Sequence, residues 1–296
     1  ERLRGVCAAM PGPCVPEVCD ACLAPFVALE LLRWCCVSRA WRWRWARPEA
    51  WAAVLRDGLG FHRRRLVPGT LPALARLLRA ATSELRLDLG GSGIQDRGVA
   101  IIAEEFPQSL QHLEFGLAQC GVRQRGAAAL AGVLPAQLTT LSLSLRECGI
   151  AYEGAVAIAK GIPAALRELR LDLGGCGIQD RGATAVARHL PMSLERLTLD
   201  LGGCLLKRQG AVSVMERLPA LAGLQTLDLS LFGCSIGDGS FLPEERAAIP
   251  HGLRCLRLNL SGSGIGDCGV EAIAGQLPGG LRELSLAFVG CGVGDR

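Results

Sequence analysis

A leucine-bearing phrase returns every 28 residues through most of this chain, and that recurrence constrains the fold before any single residue does. It reads LRLDLGGSGIQDRG at 85–98, LSLSLRECGIAYEG at 141–154, LRLDLGGCGIQDRG at 169–182 and LRLNLSGSGIGDCG at 256–269. A fixed period of this length marks a solenoid, in which each unit buries its apolar face only against its neighbours. Such an array presents a long binding surface rather than a catalytic pocket.

The leucine columns set the units at 82–109, 110–137, 138–165, 166–193, 194–223, 224–252 and 253–280, with a partial eighth at 281–296. Leu169, Leu171 and Leu173 alternate with Arg170 and Asp172, a period of two that predicts a strand with one buried face. A glycine-rich bend follows, then an alanine-rich stretch such as GATAVARHL at 182–190 with apolar residues at helical spacing. Pro191 stops that helix, because it has no N–H to donate and cannot continue the turn. The sixth unit is irregular, with FLPEERAAIP at 241–250 where the others read as helix.

This pattern resembles the leucine-rich repeat family in its long, ribonuclease-inhibitor-like form, over residues 82–296. Leu173-Gly-Gly-Cys176 keeps the family's spacing from the last strand leucine to the cysteine. An extra alternating leucine extends the strand phrase upstream and leaves the strand register open. The resemblance implies an α/β solenoid, with a curved parallel sheet inside and helices outside. The Gly264-x-Gly266-x-x-Gly269 string formally matches a dinucleotide fingerprint, but its columns in other units read Gly-Ile-Gln-Asp-Arg-Gly, so it is repeat drift.

Six of the fourteen cysteines (Cys120, Cys148, Cys176, Cys204, Cys234 and Cys291) share one repeat position, which Ser92 and Ser263 also fill. Equivalent positions in successive coils stack as a ladder instead of pairing as disulfides. The expected state is therefore small buried residues whose thiols donate weakly to loop carbonyls. So many free thiols point to a reducing compartment, cytosol or nucleus. No secretory signal and no apolar run of membrane-spanning length is evident. The chain opens on Glu1 and stops within a repeat, so it reads as a piece of a longer protein.

Composition changes near residue 81. Residues 1–81 hold 13 Lys and Arg against 6 Asp and Glu, and all five tryptophans (Trp34, Trp41, Trp43, Trp45, Trp51). Residues 82–296 hold 19 against 22. The expected organisation is an N-terminal segment at 1–13, a helical module at 14–53, a linker and cap helix at 54–81, and the repeats at 82–296. Thr70 is the expected N-cap of a helix at 71–81, with Pro72 tolerated in its first turn, and that helix would cover the open end of the solenoid.

The stretch VPEVCDACLAPFVALELLRWCCVSRAWRWRWARPEAW at 15–51 resembles an F-box. Glu17 and Val18 open the match, Leu23 and Phe26 fall on its apolar helix, and Glu30, Leu31, Leu32 and Arg33 follow. Val37, Ser38, Arg39 and Trp41 continue it, and Pro48 and Trp51 close it. Val15-Pro16 stands one residue closer to Glu17 than the family pattern has it, and Cys22 replaces a larger aliphatic. The resemblance implies an all-α module that docks the Skp adaptor, and through it a cullin. Pro16, Glu17, Leu23, Phe26, Leu31, Leu32, Val37, Trp41 and Trp51 would make the contact. Leu31, Leu32, Cys35 and Cys36 recur at helical spacing, and a module this small needs a partner surface to complete its core.

Other chemistries are less well served. The RAWRWRWAR string at 39–47 alternates arginine with tryptophan, but no basic stripe continues over the repeats, so neither nucleic acid nor membrane is expected as a partner. Cys19-x-x-Cys22 has no second ligand pair at zinc spacing. His62, His112, His189 and His251 fall in unrelated columns without a nucleophile partner, so no enzyme activity and no cofactor is expected. The resemblance to F-box and leucine-rich repeat proteins implies the substrate receptor of an SCF-type ubiquitin ligase; the alternative is a repeat scaffold or inhibitor without a ubiquitin role. Target contacts are expected on the strand residues that face away from the buried leucines. One row reads Arg86, Glu114, Ser142, Arg170, Thr198, Asp228, Arg257, Ser285; the other reads Asp88, Gly116, Ser144, Asp172, Asp200, Ser230, Asn259, Ala287. Their charged and amide members, Arg86, Asp88, Glu114, Arg170, Asp172, Asp200, Asp228, Arg257 and Asn259, are the candidate target-binding residues.

Overall fold

The computed structural model describes residues 59–60, 71–79, 81–237 and 249–294, all within one compact unit of the chain, Pro48–Arg296. The F-box-like segment, Thr70, the Cys19/Cys22 pair and most of the irregular stretch at 241–250 lie outside them. Strands β1 (Leu59–Gly60), β2 (Glu84–Asp88), β3 (His112–Gly116), β4 (Thr140–Ser144), β5 (Glu168–Asp172), β6 (Arg196–Asp200), β7 (Thr226–Ser230), β8 (Cys255–Asn259) and β9 (Glu283–Ala287) form one parallel sheet in sequence order. On its other side run α1 (Leu71–Leu78), α2 (Gln95–Ala103), α3 (Gln124–Ala131), α4 (Ala151–Gly161), α5 (Gln179–His189), α6 (Arg208–Arg217) and α7 (Asp267–Gly275). Helices stack at about 8–10 Å where strands stack at about 4.8 Å, so the array bends with its sheet on the inside.

The register that the leucines left open is five residues long. In β5, Leu169 and Leu171 point inward, and the third leucine, Leu173, lies just past the strand, fully buried. Its N–H still continues the ladder, donating to Asp200 O at 2.9 Å. Pairing joins equivalent columns throughout: Leu141 to Leu169, Leu169 to Leu197, Leu197 to Leu227 and Leu227 to Leu256. Coil lengths differ without disturbing this. The longer coil from β6 to β7 takes up its extra residues after the helix, where a short 3-10 turn (Leu218–Ala220) sits.

The helices begin earlier than the alanine-rich stretches suggest; α5 starts at Gln179, not Gly182. Gly182 sits inside its first turn because it is a contact point. A Cβ there would stand 2.7 Å from the Cβ of Ile178 and 3.2 Å from that of Ala155 in the preceding helix. Gly154 stands in the same relation to Ile150 and Ala127.

A helix is present at Leu71–Leu78, α1, three residues shorter than the expected 71–81, with Leu71, Leu74, Ala75 and Leu78 buried. A further strand precedes it in the chain, β1, whose Leu59 pairs with Leu87. The leucine phrase does not announce this strand, because the residue 28 before Leu85 in the sequence is Asp57. Among the described residues no helix is long and apolar enough to cross a membrane.

The thiol ladder forms as expected. Each column thiol donates to the carbonyl of the third leucine one coil back: Cys120 to Leu89 at 2.8 Å, Cys148 to Leu117 at 3.1 Å, Cys176 to Leu145 at 2.9 Å and Cys204 to Leu173 at 2.9 Å. The eight cysteines among the described residues are free. Burial pushes the Cys176 thiol up to about 12, and those of Cys148, Cys204 and Cys234 move the same way for the same reason.

Candidate protein-binding face

The outward strand positions form continuous rows, since each pairs with its equivalent on the next strand. Arg86 pairs with Glu114, Glu114 with Ser142, Ser142 with Arg170, Arg170 with Thr198, Thr198 with Asp228, and Asp228 with Arg257. The second row runs likewise from Asp88 to Ala287. A third row was missed by counting outward from the first leucine: Glu84, His112, Thr140, Glu168, Arg196, Thr226, Cys255 and Glu283. Continuing the period of two one step before Leu85 would have found it.

The two expected rows differ in character. In the second, the acidic and amide side chains turn back on their own chain. Asp88 Oδ1 accepts the Gly90 N–H at 2.9 Å, Asp172 Oδ1 that of Gly174 at 3.0 Å, Asp200 Oδ1 that of Gly202 at 2.8 Å and Asn259 Oδ1 that of Ser261 at 3.2 Å. These are Asx turns, which steer the chain out of the strand. The other oxygens are also engaged: Ser144 donates to Asp172 Oδ2 at 3.0 Å and Arg146 to Asp200 Oδ2 at 2.9 Å. Arg146 reaches Asp200 across two coils, also 3.7 Å from Asp172, and lies where a side chain at Gly174 would be. Burial opposes the Arg146 charge, but Asp172 and Asp200 outweigh it and raise its pKa.

The first row is more open. Arg86 and Glu114 are half-exposed and 3.8 Å apart, and Arg257 reaches Glu283 at 3.5 Å. Burial lifts the Asp228 carboxyl above the usual range, against the pull of Arg257 and with a push from Asp200. On β5 and β6, Glu168 bridges two arginines. Arg170 meets its Oε1 and Arg196 its Oε2, each at 3.1 Å.

The first and third rows line an open groove of about 400 Å³ over β2–β6, bordered by Glu84, Arg86, His112, Glu114, Thr140, Ser142, Glu168, Arg170 and Arg196. It holds Arg86, Glu114 and Arg170 of the expected target residues; Asp228 and Arg257 stand further along the same face. Among the described residues no group of His, Cys, Asp and Glu is arranged to hold a metal ion.

A family model described as Leucine Rich repeat matches residues 137–159, 169–187 and 252–274. No curated protein matches the sequence. Similar solved structures include the leucine-rich repeat-containing protein LegL7 from Legionella pneumophila, at 19% identity and TM-score 0.39 over 64% of this chain and 69% of that one. The Rad7 and Elc1 complex in yeast aligns at 16% identity and TM-score 0.41 over 92% and 79%. A TLR13–ssRNA13 complex aligns at 14% identity and TM-score 0.37 over 84% and 35%. With one strand and one leucine phrase to each coil and a family model met at three places, the described residues between 82 and 294 fold as a solenoid of the leucine-rich repeat kind.

Proposed function

We propose that this chain is a protein-binding receptor whose sheet face holds a target protein, and whose segment at 15–51 docks the Skp adaptor of an SCF-type ubiquitin ligase. The observation that carries the first half is the groove over β2–β6, a face of ordered, mixed-sign side chains with room for a partner. The outward positions of β2–β9 hold eight acidic and four basic side chains. That balance suits a protein surface of mixed charge and opposes a nucleic-acid backbone. The second half rests on the ungapped F-box spacing from Glu17 to Trp51 beside a repeat array. In this role the chain positions its target and makes no bonds itself, and it works in the cytosol or nucleus.

Co-purification with a Skp adaptor tests the ubiquitin role. Changing Leu31 and Leu32 to Asp should abolish adaptor binding, and residues 54–296 alone should not bind it. Unchanged capture by the double variant leaves the face as a protein-binding scaffold or inhibitor with no ubiquitin role.

A further inference from the structure

The groove over β2–β6 is electrically two-ended. At its β5–β6 end, two half-exposed guanidiniums, Arg170 and Arg196, share one largely buried carboxylate, Glu168. One positive charge is left over. The shared carboxylate also fixes both arginines side by side, so the donors they do not spend on Glu168 need no further ordering to meet a ligand. Arg167 does not add to the surplus, because Glu195 answers it at 3.0 Å. At the β2–β3 end the balance reverses: Glu84 and Glu114 flank Arg86, which pairs only loosely, at 3.8 Å from Glu114. Between the two ends the floor is neutral, made by the hydroxyls of Thr140 and Ser142.

We propose that this groove selects a protein segment that carries one carboxylate side chain over Arg170 and Arg196 and one Lys or Arg side chain over Glu84 and Glu114. This rests on the reading of the sheet face as the protein-binding site. A side-chain carboxylate matches the single unanswered charge. A phosphoryl dianion would face Glu168 and the acidic end of the same groove with a charge too many. The two ends lie three strand spacings apart, about 14 Å, so an extended partner segment would place its opposite charges about four residues apart. Neither charge order is excluded, because an extended segment can cross the strands in either direction.

The test is selection of binders from a random linear-peptide library against the full chain. Recovered peptides should be enriched in an acidic and a basic residue about four apart. Their affinity should fall at least about tenfold in Arg170→Gln/Arg196→Gln and, separately, in Glu84→Gln/Glu114→Gln, with the melting temperature unchanged. Binding lost in an Arg170→Glu/Arg196→Glu variant should return when the peptide's acidic residue is replaced by Lys. Peptides that are displaced by Ser142→Trp or Ser230→Trp yet show no charge pair, or ignore the Gln variants, overturn this inference and leave the sheet-face reading standing. A library that yields no binder, or only binders that no sheet-face substitution moves, overturns both.

Discussion

The Oδ1 atom of Asp180 accepts the backbone N–H of Gly210, one coil further along, at 3.0 Å, and that of Lys207 at 2.8 Å. It thereby supplies the start of α6, which has no side-chain cap of its own. Asp96 does the same for α3, accepting the Arg123 N–H at 2.6 Å. The acidic residue of the recurring Gln-Asp-Arg-Gly phrase is thus an inter-coil helix cap, and its charge suits the positive end of the helix it meets.

Removing that cap should be measurable. Asp180→Ala is expected to lower unfolding free energy by about 1 kcal/mol in a denaturant titration, with Asp180→Asn recovering most of it because an amide oxygen accepts the same bonds. An Ala variant as stable as the parent would mean that water serves these N–H groups equally well.

Gly182→Ala poses a contest between helix propensity and packing. Alanine favours a helix over glycine by about 1 kcal/mol, but the added Cβ would stand 2.7 Å from Ile178 and 3.2 Å from Ala155. Overpacking should win, with a net loss of about 1–2 kcal/mol by thermal or denaturant unfolding.

At Cys176 the size of the replacement decides. Cys176→Ser should cost less than about 1 kcal/mol, since a hydroxyl can donate to the Leu145 carbonyl that Cys176 uses, and Ser263, buried in this column, is satisfied by a different carbonyl, that of Leu260 in its own coil. Cys176→Phe should cost about 1–3 kcal/mol by overpacking the coil.

The buried thiols also set an alkaline limit. In the folded chain Cys176 titrates at about 12, against 9.0 for an ordinary thiol, so the unfolded chain loses its proton first. The stability this burial confers is whole below pH 9, and it drains away as pH rises towards 12. Serine at positions 148, 176, 204 and 234 should move the midpoint of alkaline unfolding upward; an unmoved midpoint would show that other groups govern it.

Asp200 and Asp228 should respond differently, although they are neighbours on the face. Asp200→Ala strips the acceptor from the Gly202 N–H and from Arg146, and should cost about 1 kcal/mol. Asp228→Ala removes a carboxylate that burial already disfavours, and should lie within about 0.5 kcal/mol of the parent. A target-binding loss at Asp228 is therefore cleaner to interpret than one at Asp200.

The repeat, its strands and its thiol ladder were legible because one buried column repeats with a small set of residues. Asp88, Asp172, Asp200 and Asn259 were placed on the correct face, but a period of two says only which side a residue leaves the strand. It does not say whether its carboxylate leans outward or bends onto the next N–H. Glu84, Glu168 and Arg196, which make the ends of the groove, were overlooked because the phrase was read from its first leucine. Strand β1 was overlooked because the residue 28 before Leu85 is Asp57, which interrupts the leucine phrase in the sequence.

The column of free cysteines has a practical consequence. One thiol sits at the same buried point of each coil from Cys120 to Cys234, while the coil of Ser92 has none there. A reagent that modifies only exposed sulfur can reach each of them only when its own stretch of the stack opens. Residue-by-residue alkylation rates would therefore read out a breathing profile along the array, distinguishing fraying that advances from one end from coils that open together.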